Sequence, residues 1–215
     1  MVRTVGMNGY TVGEEIANSI THGLGVALSI AGLSVMVVLA AKYGNCLQVV
    51  TFSIFGAALI LLFLASTLYH SLTRPSWKKV LKICDHSAIY VLIAGTYTPI
   101  MLSCVGGGLG WSIFGVVWGL ALFGIVMKCF FTGRFRLVST LFYIGMGWLC
   151  LGTLHQLIVK MPMLGIIFLF AGGVAYTAGA VFYVWKKLPY GHAIWHLFVL
   201  AGSTFHYFAI LTLLP

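Results

Sequence analysis

Residues 43–73, YGNCLQVVTFSIFGAALILLFLASTLYHSLT, run for 31 positions without a charged side chain. A helix of about 20 apolar residues crosses the hydrocarbon of a bilayer, so the stretch is long enough to span a membrane. Strict alternation of polar and apolar residues is absent, which argues against a membrane β-barrel. Outward from this stretch the pattern repeats, giving uncharged spans 16–41, 43–73, 86–127, 137–159, 161–185 and 188–215. The span 86–127 holds two helices, with Gly106-Gly107-Gly108 supplying the turn. The sequence therefore predicts an all-α, polytopic bundle of seven transmembrane helices. It is read as one domain over residues 1–215, with a short cytoplasmic segment 1–15 and helices near 18–41, 47–71, 83–104, 109–128, 136–158, 163–185 and 191–213.

Composition points the same way. Hydrophobic residues make up 61% and charged residues 7% of the chain, and the mean hydropathy is +1.06; soluble domains carry about 25% charge. A formal net charge of +9 raises the question of nucleic acid, but the basic residues are scattered and not interleaved with base-stacking aromatics. No nucleic-acid partner is expected; membrane lipids are the environment. Arg3, Arg74, Lys78, Lys79, Lys82, Lys128, Arg134, Arg136, Lys186 and Lys187 fall on one side, and Lys42 and Lys160 on the other. Ten against two predicts a cytoplasmic N-terminus, a C-terminus outside, and a multi-pass protein of the cytoplasmic (inner) membrane.

Residues 1–15 lack a short apolar core with a small-residue cleavage site, so no removable signal peptide is expected. Cys46, Cys84, Cys104, Cys129 and Cys150 show no CxxC spacing and are read as packing residues. Val12 to Asn18 reads as a short cytoplasmic helix lying at the interface and running into the first span. Arg74-Pro75-Ser76-Trp77 is expected to cap the second helix, and Pro189 precedes the seventh. Pro99 should kink the third or widen a cavity beside it.

The chemistry lies in a few ionisable residues. His192 and His196, in Gly191-His192-Ala193-Ile194-Trp195-His196, are four residues apart and share one helical face, the spacing by which a helix offers two ligands to one metal ion. At about 1.5 Å of rise per residue, His70, Asp85, His192 and His196 all fall roughly 5–14 Å inside the same boundary, although their helices run in opposite directions. Ionisable groups at such depth are costly unless paired or metal-bound. Three neutral imidazoles with water form an open tetrahedral zinc site. Asp85, read as the only acidic residue at a helix end inside the bilayer, would orient a ligand or accept a proton. Ser66, one turn from His70, would hydrogen-bond water or a substrate carbonyl.

Taken singly, His70 reads as a packing residue and Ser66 as a hydroxyl bonded to its own helix. His22 and His86 share the layer; His22 is assigned to packing or to supporting the ligands, and His86 to a neighbouring face. His155 and His206 lie towards the opposite side, and Cys84 points about 100° from Asp85.

Glu14-Glu15-Ile16-Ala17-Asn18, Ser66-xxx-His70, Lys82-Ile83-Cys84-Asp85-His86-Ser87-Ala88 and His192-xxx-His196, in that order, resemble the hemolysin III proteins of bacteria. These belong with the progestin and adipoQ receptors, which include the adiponectin receptors, and more distantly with alkaline ceramidases. The resemblance implies a seven-helix bundle with a cytoplasmic N-terminus and a zinc ion near the cytoplasmic leaflet. It places that ion on His70, His192 and His196, with Asp85 and Ser66 as the accompanying acid and hydroxyl, and it suggests hydrolysis of lipid amides or esters in membrane lipid homeostasis. Two other functions fit the same residues: a receptor or regulator with structural zinc, and a pore-forming hemolysin. Haem held by paired histidines is a further alternative, which the colour of the purified protein tests.

Overall fold

The computed structural model describes residues 9–185 and 187–215. It contains seven helices long and apolar enough to cross a membrane: α1 (Val12–Tyr43), α2 (Cys46–Ser71), α3 (Pro75–Val105), α4 (Gly107–Phe131), α5 (Arg136–Lys160), α6 (Met163–Val184) and α7 (Gly191–Leu211). Their outward faces are apolar, with Ile20, Val38, Leu122, Phe130 and Val159 exposed, as a chain solvated by lipid requires.

Local chemistry sets the helix ends. Thr11 caps α1: its hydroxyl accepts from Glu14 N at 3.3 Å while Glu14 Oε2 accepts from Thr11 N at 2.8 Å, a reciprocal cap that satisfies two otherwise orphaned amides. Val12 to Asn18 is therefore the opening of α1 itself, not a separate interfacial helix. Asn45 and Gln48 repeat the device on α2, and Gln48 Nε2 also donates to Leu213 O at 2.8 Å, tying α2 to the end of α7. Pro75 opens α3 instead of closing α2, because a residue without an N–H loses nothing in a first helical turn. The α2–α3 connection shrinks to Leu72–Arg74, and Lys78, Lys79 and Lys82 ride on α3. Asp85 consequently sits well inside a helix and not at its end.

Immediately after Pro99 the hydrogen-bond ladder of α3 widens into a π-helical stretch, Ile100–Val105, which closes with Gly106 N donating to Met101 O at 2.8 Å. Ile100 and Met101 line the central cavity there. Gly106 and Gly107 make the turn into α4 with φ of 64° and 60°, a region that glycine enters without steric cost. Helix α5 tightens to a 3-10 helix over Trp148–Thr153. Tyr97 of α3 supports that break, its hydroxyl donating to Gly147 O at 2.8 Å and accepting from Cys150 N at 2.7 Å.

Neighbouring contacts close a ring in the order α1, α2, α3, α5, α6, α7 and back to α1. Helix α4 stands outside, packed on α3. Its buried residues Gly110, Val117, Ala121, Gly124 and Lys128 form one stripe, and the Tyr90 ring occupies the space where Gly124 has no Cβ. Inside the ring an apolar cavity of about 120 Å³ extends from Asp85, His192 and His196 to His206.

Candidate metal centre

His70 is in the last turn of α2, His192 and His196 in the first turns of α7. Their ring centroids form a triangle of 5.1, 5.1 and 4.5 Å. One nitrogen from each lies within 4.8 Å of the others, so this cluster could hold a metal ion.

Helix α1 orients two of the rings. His70 Nδ1 donates to Glu15 Oε2 at 2.5 Å, and Glu15 Oε1 accepts from Lys78 Nζ at 2.9 Å. The carboxylate fixes the proton on Nδ1 and leaves Nε2 as a lone-pair donor, which is buried without a hydrogen-bond partner. A carboxylate behind a histidine is a recurrent support for metal ligation. His196 is held in the same way: Nδ1 lies 3.2 Å from Asn18 O and 3.3 Å from Thr21 Oγ1. Since Thr21 already donates to Ala17 O and Asn18 O, its oxygen is free to accept, and Nε2 of His196 is left over for a ligand role. Asn18 Nδ2 reaches His70 Nδ1 at 3.3 Å, so one α1 residue touches both ligand-bearing helices.

His192 is held by rings. Tyr10 stacks on it at 5.2 Å and Tyr183 lies 5.8 Å away. Burial pushes the Tyr10 phenol up to about 12, so it stays neutral at physiological pH. Glu14 Oε1 accepts from Tyr190 N at 3.0 Å, fastening the start of α7 to α1.

Asp85 is buried and lines the cavity together with His192 and His196. The fully buried Ser66 lies beside it; the Ser66 hydroxyl makes no well-aligned hydrogen bond. His22 stacks on His196 with centroids 3.5 Å apart and planes 12° from parallel. His86 lines the same cavity, and its carbonyl accepts from the Tyr143 hydroxyl at 3.0 Å. His206 is at the far end, Nε2 donating to Leu169 O at 3.2 Å, and His155 and Cys84 are exposed.

Glu15, Asn18 and Thr21 receive no individual role in the sequence reading, and Asp85 is not the only carboxylate inside the bundle. The signal available was the recurrence of Glu15, Asn18 and His22 every three or four residues on a predominantly apolar helix. That spacing marks one buried polar face.

An all-α bundle of seven membrane-spanning helices with three convergent imidazoles defines a class, and comparison with known sequences places the chain in it. The chain belongs to the Haemolysin-III related family, whose model matches residues 10–207. It is 51% identical over 202 residues to the Hemolysin-3 homolog of Bacillus subtilis, covering 94% of this chain and 95% of that one. Hemolysin-3 of Bacillus cereus is 49% identical over 200 residues, covering 93% and 91%. The human Monocyte to macrophage differentiation factor is 30% identical over 207 residues, covering 92% and 83%.

Proposed function

We propose that the protein is a zinc-dependent hydrolase of lipid amides or esters, acting in the cytoplasmic membrane with its N-terminus and the His70, His192, His196 centre on the cytoplasmic side. The observation that carries this reading is the His70 ring: a carboxylate grips Nδ1 while Nε2 is buried, unpartnered and directed at two further imidazoles. Three neutral nitrogen donors suit zinc and leave a coordination position for substrate or water. Zinc so held would polarise a carbonyl and lower the pKa of water towards ~7.

The chain supplies the rest. Glu15 keeps the His70 proton on Nδ1, Asp85 takes a proton from the attacking water, and Ser66 donates to the scissile carbonyl or to that water. The apolar walls of the cavity, among them Leu92, Ile93, Met101 and Leu169, hold the acyl chain and exclude bulk water. Membrane lipids are then substrate as well as solvent.

A receptor or regulator with structural zinc is the second reading; in its favour, the cluster bridges α2 and α7. The name shared by the bacterial relatives suggests cytolysis, but a pore needs a polar lining and this cavity is predominantly apolar.

Metal analysis of the purified protein and hydrolysis of short-chain ceramide and related amides and esters in lipid test the proposal. Zinc near one per chain, with turnover lost on stripping, is the expected result. Equal rates before and after stripping reject zinc hydrolysis of those substrates.

A further inference from the structure

The chain has only three acidic residues, Glu14, Glu15 and Asp85. Lys78 is buried at 7% exposure and has Glu15 as counter-ion. Lys128 is buried at 5%, yet among the described residues no carboxylate lies within ion-pair distance of it. Its ammonium donates to Ser139 Oγ at 2.8 Å and lies 5.7 Å from the centre of the Tyr143 ring. Arg136 lies three residues before Ser139 on α5, and Lys82 lies four residues before His86 on α3, whose carbonyl accepts from the Tyr143 hydroxyl. Three helices thus bring three cations together with no acid among them, an arrangement costly to bury unless an anion joins it.

Residues next to these cations line the cavity. His86, one turn beyond Lys82 on α3, is one of them. Tyr143, another lining residue, donates its hydroxyl to His86 O at 3.0 Å. Arg136 lies over the Tyr183 ring at 5.0 Å, and that ring lines the cavity too. The rings that Lys128 and Arg136 touch therefore also face the apolar cavity. A phosphate monoester carries about −1.5 to −2 charge and three acceptor oxygens, which match three cations better than one carboxylate does, and guanidinium suits its geometry.

We propose that Lys82, Lys128 and Arg136 form a binding site for the phosphate group of an amphiphile whose hydrocarbon chain lies in the adjoining cavity. The site shares no residue with the imidazole cluster and needs neither metal nor hydrolysis. Exposed Lys79 and Lys187 suffice for general attraction to bilayer headgroups; buried Lys128 has a specific occupant.

The test uses the full chain in detergent, with dioleoyl phosphatidic acid, dioleoyl phosphatidylcholine and sodium phosphate as probes. Native mass spectrometry counts bound lipid, and titration gives affinities. Wild type should retain one phosphatidic acid, bound roughly tenfold or more tighter than phosphatidylcholine. Lys128→Met and Arg136→Gln should each weaken it roughly tenfold, and Lys79→Gln should not. Circular dichroism checks folding, and Lys82→Gln, at a less buried position, provides a second variant should Lys128→Met misfold. Equal affinity for the two lipids, or unchanged affinity in both Arg136→Gln and Lys82→Gln, overturns the site. So does full competition by sodium phosphate at concentrations comparable to the lipid.

Discussion

At the scale of single residues, the imidazoles are distinguishable by what their second nitrogen does. His70 and His196 each spend Nδ1 on α1, whereas His206 spends Nε2 on Leu169 O. Replacing His70, His192 or His196 by Ala should strip bound metal, and His206→Ala should retain it; elemental analysis decides, and full occupancy in the His192→Ala, His196→Ala double variant would reject the ligand set. Glu15→Gln should weaken metal roughly 10–100-fold in a chelator competition, because the His70 tautomer is no longer fixed. That change also leaves Lys78 without its counter-ion, so Glu15→Gln combined with Lys78→Met separates loss of the proton anchor from a buried unpaired charge. Asp85→Asn should cut turnover by about 10²–10⁴-fold with only modest metal loss. If zinc merely ties α2 to α7, the same change alters thermal stability alone.

Much of this was legible in the residues and some was not. The four-residue spacing of His192 and His196 and the common depth of His70 and Asp85 follow from helical rise, which sequence reports directly. Glu15 was harder, because charge at a span boundary reads as interfacial. Only the position of Pro75 on one side and the Thr11 cap on the other show how far the helices extend and therefore which charges they carry inward.

At the scale of elements, the seven spans are readable because hydrocarbon imposes a length on every helix. Breaks inside a span are not, since they depend on partners far along the chain. Helix α5 tightens at Trp148–Thr153 where Tyr97, about 50 positions earlier, satisfies groups the ladder releases. Tyr97→Phe removes both bonds and leaves the buried Cys150 amide unsatisfied, so it should cost about 1–3 kcal/mol, seen as a lower Tm. Helix α2 meets α3 at Gly95, where an added Cβ would stand 2.6 Å from Ala58 Cβ. Gly95→Val should force the helices apart and destabilise the protein by ~1–3 kcal/mol or more.

At the scale of the whole molecule, the ring has a handle on its direction only through charge. Ten basic residues against two predict that a tag at Pro215 is reachable from outside the cytoplasmic membrane and one at Met1 is not; the reverse labelling would move the centre to the other leaflet. The order of the ring also bears on how the molecule is made. Two of the three imidazoles come from α7, which packs chiefly on α6 and whose first turns are fastened to α1 through Glu14 and Asn18. A nascent chain halted before Gly191 owns a single ligand, and metal binding in such a system is coupled to completed folding. An ion at this centre would therefore arrive only after the seventh helix has docked on the first, so that metal content counts finished molecules and not translated ones.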